Sequence, residues 1–171
     1  MAPRMSAAPA TDRSFWQRRI IGPVVDQLTL GVTPERLALT LAIGTTTALF
    51  PLLGATTALT LGVGLALRLN QVVLHTVNQV LGAVQLLLIL VYVRAGEWIW
   101  RAPADHFAVS DVVRTFRDSG WSEFLQRFGW AGVHAVTAWA ASAPFLVLVI
   151  YFLVRPPLER VANAVRPAAA A

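Results

Sequence analysis

LALTLAIGTTTALFPLLGATTALTLGVGLAL, residues 37–67, holds 31 positions without an Asp, Glu, Lys, Arg or His. Its middle reads Phe50-Pro51-Leu52-Leu53-Gly54. An apolar run of this length does not fit a small soluble core and belongs in a bilayer. One straight helix of that many residues would measure about 46 Å against a hydrocarbon slab of about 30 Å, and two full spans would need about 40 residues. The segment therefore predicts two half-helices meeting at a Pro/Gly turn, as a re-entrant hairpin or as one strongly kinked span. Irregular backbone at membrane depth is tolerated only where protein or a watery cavity surrounds it, and such elements recur at transporter binding sites.

The first half-helix is expected from Pro34 to about Phe50. Thr33 can cap it, Pro34 suits its first position, and Glu35 favours the positive end of its dipole. Pro51 removes a donor and ends it, and Gly54 can take the positive φ of a tight turn. The second half should run from about Ala55 to Leu67. Small residues recur at helical spacing in both: Thr40, Gly44 and Thr47, then Thr56, Thr60 and Gly64. Such spacing lets membrane helices approach closely, and the hydroxyls of Thr46, Thr47, Thr56 and Thr57 could satisfy backbone groups freed at the break.

Two more uncharged runs follow, Leu69–Val93 and Phe128–Val154, each long enough to span once. On a helical wheel Gln71, His75, Asn78, Gln79, Gly82 and Gln85 share an arc of about 120°. Polar side chains inside a membrane face protein or water, so this stripe should face the hairpin, with Asn78 and Gln85 against the Thr45–Thr60 region. The connection Arg94–Arg127 carries five Arg and five acids. Val109, Val112, Val113 and Phe116 mark one amphipathic face there, and Trp121, Phe124, Leu125 and Phe128 a second, which suggests surface helices over 105–127. The last span is expected over 130–154, kinked at Pro144 and stopped by Arg155-Pro156-Pro157. Residues 1–13 and 156–171 read as flexible ends, and Ser14–Leu30 as an amphipathic segment. Trp98, Trp100 and Trp130 fall where an aromatic belt would lie.

The fold class is thus all-α: a small polytopic membrane protein with one membrane domain over residues 14–155. Composition agrees. Of 171 residues, 56% are hydrophobic and 13% charged, against about 25% charged in soluble domains. The 14 basic residues are all Arg, and the net charge is +5. Arg flanking membrane spans explains this better than nucleic-acid binding, for which no basic motif or recognition helix is present. A re-entrant hairpin places nine Arg on one side and five on the other, whereas a kinked span places ten and four. Both obey the positive-inside rule. The excess length of the run and the Pro51–Gly54 tip favour the re-entrant form.

The absence of cysteine removes disulfides, thiolate metal ligands and a Cys nucleophile. No zinc spacing, P-loop, GxSxG or dinucleotide fingerprint occurs. No catalytic, metal or cofactor site is therefore expected. His75 and His134 lie in different spans and read as bonded to neighbours, while Arg94 and Glu97 are spaced for a local pair. Arg68, between two apolar runs, could snorkel or meet a lipid phosphate beside Asn70 and His75.

Thr33-Pro34-Glu35-Arg36, Phe50-Pro51-Leu52-Leu53-Gly54-Ala55-Thr56-Thr57, Leu67-Arg68-Leu69-Asn70, Asn78, Gln85 and Arg94-Ala95-Gly96-Glu97-Trp98 occur in this order. Over residues 20 to 155 the pattern resembles the bacterial membrane family called Domain of Unknown Function number two thousand and sixty-two. Gly82-Ala83 departs from an aromatic–Pro pair common there. The resemblance implies an integral protein of a bacterial inner membrane without an assigned activity. Some relatives are joined to glycosyltransferase-like domains, which points toward envelope glycan or lipid work. The functional readings are a small transporter or lipid-handling translocator, or else a scaffold or accessory subunit for an envelope enzyme, with an intramembrane enzyme third because nucleophile and metal signals are absent. The partners implied are the bilayer, anionic headgroups, and a second copy or an enzyme.

Overall fold

The computed structural model describes residues 32–52, 54–102, 109–119 and 121–165. The amphipathic segment 14–30, the N-terminal 1–13, residues 105–108 and the last six residues lie outside them. Five helices make up the described chain: α1 (Pro34–Ala48), α2 (Thr56–Ala66), α3 (Gln71–Trp100), α4 (Val109–Asp118) and α5 (Trp121–Val165). No strand occurs among the described residues.

Helix α1 starts where the sequence indicates. The Thr33 side chain accepts from the Arg36 amide at 3.4 Å, and Pro34 opens the first turn. It ends at Ala48, two residues earlier than expected, because the residue before a proline is pushed out of the α region. The chain then turns through Pro51 and Gly54, whose φ is +83°. Helix α2 closes with Leu69 N–H on Gly64 C=O at 2.8 Å and Arg68 N–H on Leu65 C=O at 3.1 Å. This is a Schellman closure with Arg68 at φ +52°, where Gly or Asn is usual. The Asn70 side chain then caps α3 by accepting from Val73 N–H at 3.1 Å.

Helices α1 and α2 form an antiparallel hairpin. Arg36 near its start donates through Nη2 to the Arg68 carbonyl at its end, at 2.9 Å. Nearer the turn, Thr60 Oγ1 meets Thr47 Oγ1 at 3.2 Å. Helix α1 packs on both long helices, and α2 on α1 and α3. Gly44 and Gly64 set the spacing: a Cβ at either would meet Leu74, and at Gly64 also the Gln71 amide.

Helices α3 and α5 run antiparallel, with Leu49, Ile89, Tyr92, Val93, Ala131, Ala135 and Ala138 packed between them and the hairpin. Their backbones approach closely at Gly96, where a Cβ would overlap the His134 backbone. Both are long and apolar enough to cross a membrane.

Several boundaries differ from the sequence expectation. The span expected over 69–93 belongs to a helix that continues to Trp100. Ion pairing within the helix between Arg94 and Glu97 holds that extra turn. The second surface helix does not exist separately: residues 121–127 are the first turns of α5. The backbone stays helical through Arg127. Pro144 lies inside α5, and Pro156-Pro157 do not stop it. An interior proline costs about 3 kcal/mol. Here Leu158 and Ala162 are buried, Leu158 against Leu37 and Ala38, and Arg155 bonds Glu159 one turn on. Tertiary burial thus carries the helix through residues 156–165, a stretch that reads as flexible in sequence.

The distribution of polarity is inverted relative to a soluble bundle. Thr40, Thr46, Thr47, Thr56, Thr60, Asn78, Gln85 and Glu97 are buried. Leu65, Leu87, Phe145, Phe152 and Leu153 stand on the outside, Leu87 at 73% exposure. Three of the buried hydroxyls are satisfied within their own helix, Thr40 on Arg36 C=O, Thr46 on Ala42 C=O and Thr47 on Ile43 C=O.

Candidate functional site

The break between α1 and α2 frees backbone acceptors. Phe50 N–H turns back to Thr47 C=O at 3.1 Å, so Thr46 C=O loses the partner a continuing helix would supply. Trp139 of α5 takes that carbonyl through Nε1 at 2.9 Å. Phe50 C=O is taken by Gln85 of α3 through Nε2 at 2.8 Å. Each long helix therefore provides one donor to the turn. The Phe50 ring also stands edge-on to Trp139, with centroids 4.9 Å apart.

These donors correct the sequence expectation that local threonines would repair the break. Thr46 and Thr47 donate instead to carbonyls one turn back, at Ala42, Ile43 and Gly44. A threonine in a helix reaches its own i−4 carbonyl more easily than a group beyond a turn. Sequence reasoning missed Trp139, since 93 residues separate it from its acceptor.

The inner side of the turn is closed and the outer side is open. Pro51 and Thr56 are buried, while Leu52, Gly54 and Thr57 are exposed. A Cβ at Gly54 would meet nothing, so its positive φ alone restricts that position to glycine. Helix α2 starts at Ala55 without a side-chain cap, leaving its first amides and dipole directed at the turn.

The polar stripe of α3 divides. Asn78 Nδ2 reaches Thr57 Oγ1 at 3.5 Å and Gln85 holds the turn, so these two face the hairpin as the wheel suggests. Gln71 packs on Gly64, but both polar atoms of its amide are buried without a partner. His75 is half-buried, and Gln79 is exposed rather than facing protein. The full arc is wider than the groove between α1 and α2 can cover.

The remaining singled-out residues form two layers. At the hairpin's base lie Arg36, Arg68 and Asn70, and Arg155 there reaches Glu35 at 3.4 Å and Glu159 at 2.7 Å. At the other end Arg94 pairs with Glu97 at 2.9 Å, Glu97 being almost wholly buried and Arg94 half exposed. His134 lies there between Trp100 and Trp130, at 5.9 and 6.5 Å between centroids. His75 and His134 are thus in different surroundings. No cluster of three or more potential metal ligands occurs among the described residues.

The order of these pieces, from capped start to latched turn to Gly-Glu-Trp end, agrees with a known family. A family model described as "Uncharacterized protein conserved in bacteria (DUF2062)" matches residues 18–165. The chain belongs to this family. No curated protein and no solved structure matches it. Phe50, Asn78, Gln85 and Gly96 help to fix how the hairpin and the two long helices sit together.

Proposed function

We propose that this DUF2062 protein is an integral protein of the bacterial inner membrane, with α3 and α5 spanning the bilayer and α1–α2 entering and leaving by one face. The observation that carries the re-entrant reading is the Arg36–Arg68 bond, which joins the two ends of the hairpin. The outward Leu65, Leu87, Phe145, Phe152 and Leu153 suit acyl chains, and the tryptophans beside Arg94 suit the far interface. From Asn70 to Gln85 is about 22 Å along α3, and from Arg155 to Trp139 about 24 Å along α5. Both distances suit a turn near the middle of a membrane about 40–45 Å thick including headgroups.

The activity this arrangement supports best is that of a small transporter or lipid-handling translocator. Exposed Gly54 and the uncapped start of α2 are polar features at membrane depth, where hydrocarbon satisfies neither, and exposed Thr57 beside them holds a long bond from Asn78. Water or a polar ligand satisfies both. Half-helix N-termini of this kind favour anionic groups. Oligomerisation would enclose the path. A scaffold role is the second reading, favoured by Ala58, Gly62 and Ala66, which lie exposed at four-residue spacing on α2 and suit close helix contact with another chain.

Purified protein in liposomes carrying fluorescent anionic lipid tests the first reading. Quencher-accessible signal should exceed that of empty liposomes, and Gly54→Val should remove the excess while inserting normally. Liposomes with and without the wild-type protein behaving alike would bring the scaffold reading forward.

A further inference from the structure

We infer that Arg36 and Arg68 form a clamp for the phosphate of an anionic lipid headgroup at the base of the hairpin. Both side chains are exposed. Arg36 Nη2 bonds the Arg68 carbonyl at 2.9 Å, so the two residues are held side by side from opposite ends of the hairpin. Neither guanidinium meets a carboxylate among the described residues, although Glu35 and Glu159 stand in the same layer. Arg155 engages both of those acids, so neither Arg36 nor Arg68 has a carboxylate partner among the described residues. The bond to the carbonyl uses one of the five N–H donors of Arg36, and those remaining can address phosphate oxygens.

The backbone at Arg68 adds a second observation. The Schellman closure needs a left-handed residue, and Gly would supply it without a Cβ clash. Arginine there, at φ +52°, accepts local strain. Two helix starts reinforce the field: α1 begins at Pro34 and α3 at Gln71, so their positive ends lie in this layer. Asn70 is occupied capping Val73 and positions the start of α3 without reaching the ligand. Because the clamp links the two ends of the hairpin, an occupied site would also brace the hairpin that carries the turn. The clamp rests on the membrane reading above, which sets the hairpin's base in a headgroup layer.

Arg101 supplies an internal control. It closes α3 at the other end with the same φ of +52° and the same bond pattern, Ala102 N–H to Glu97 C=O at 2.9 Å and Arg101 N–H to Trp98 C=O at 3.3 Å. Arg68→Gly and Arg101→Gly both suit their turns, so neither endangers folding. The assay is native mass spectrometry of the full chain released from nanodiscs of mixed phosphatidylglycerol and phosphatidylcholine. Wild type should retain phosphatidylglycerol preferentially. Arg36→Gln and Arg68→Gly should each lower that preference about fivefold, and Arg101→Gly should leave it unchanged. Equal loss in all three variants, or no loss in the first two, would overturn the clamp. Thermal protection in detergent by inorganic phosphate as strong as by short-chain phosphatidylglycerol would overturn its assignment to lipid. Failure of the wild type to enter nanodiscs would defeat the membrane reading as well, whereas entry without lipid preference defeats the clamp alone.

Discussion

Replacing Gln85 by Leu removes the donor that α3 supplies to the turn and keeps the volume of the side chain close to the original. Gln85 is buried and bonds Phe50 C=O at 2.8 Å. Side-chain bonds between membrane helices are worth about 0.6–2 kcal/mol. The acceptor left behind is a backbone carbonyl that no helix continues to satisfy, and stranding such a group costs about 1–3 kcal/mol. Leucine recovers part of this by packing, so a net loss of about 1–2 kcal/mol is expected. Trp139→Phe removes the matching donor from α5, on Thr46 C=O at 2.9 Å, and should cost about the same. Both donors hold one turn, so the double variant should depart from additivity by at least about 0.5 kcal/mol. Reversible unfolding in bicelles gives all four stabilities. A Gln85→Leu variant as stable as wild type, or strictly additive losses, would refute the view that the two long helices jointly hold the turn.

Gly96→Ala places a methyl group in the His134 backbone and should destabilise the pairing of α3 and α5 by about 3 kcal/mol, read by the same unfolding assay. Gly54→Val meets no neighbour, yet should cost about 1–2 kcal/mol because a β-branched residue resists φ +83°. Asn78→Leu should cost less than about 1 kcal/mol, since its bond to Thr57 is long at 3.5 Å.

The sequence made the hairpin legible because its signals are local. Thr33, Pro34 and Gly54 act on the backbone at or within a turn of themselves, and the structure puts cap, start and positive φ at those residues. The stripe on α3 was legible through periodicity, although only part of it meets the hairpin. Non-local effects were not legible. Trp139 acts across 93 residues, and nothing in its neighbourhood tells that an acceptor waits on α1. Pro156-Pro157 is a stop by propensity and becomes helix interior because Leu158 and Ala162 are buried beyond it. The start of α5 carried a usable signal: Phe128, Ala131, Ala135 and Ala138 are all buried and keep one helical phase. Charge composition divides that helix where its backbone does not. The Arg36–Arg68 bond was out of reach for another reason, because its acceptor is a main-chain carbonyl exposed by the turn geometry.

The central claim is that the hairpin returns to the face it enters. Single cysteines at Thr33, Leu67 and Trp98, all exposed positions, test it with a membrane-impermeant thiol reagent applied to intact cells and to inverted vesicles. The account predicts that Thr33Cys and Leu67Cys react from the same side and Trp98Cys from the other. Reaction of Thr33Cys and Leu67Cys from opposite sides would contradict it and make residues 34–66 a single kinked span.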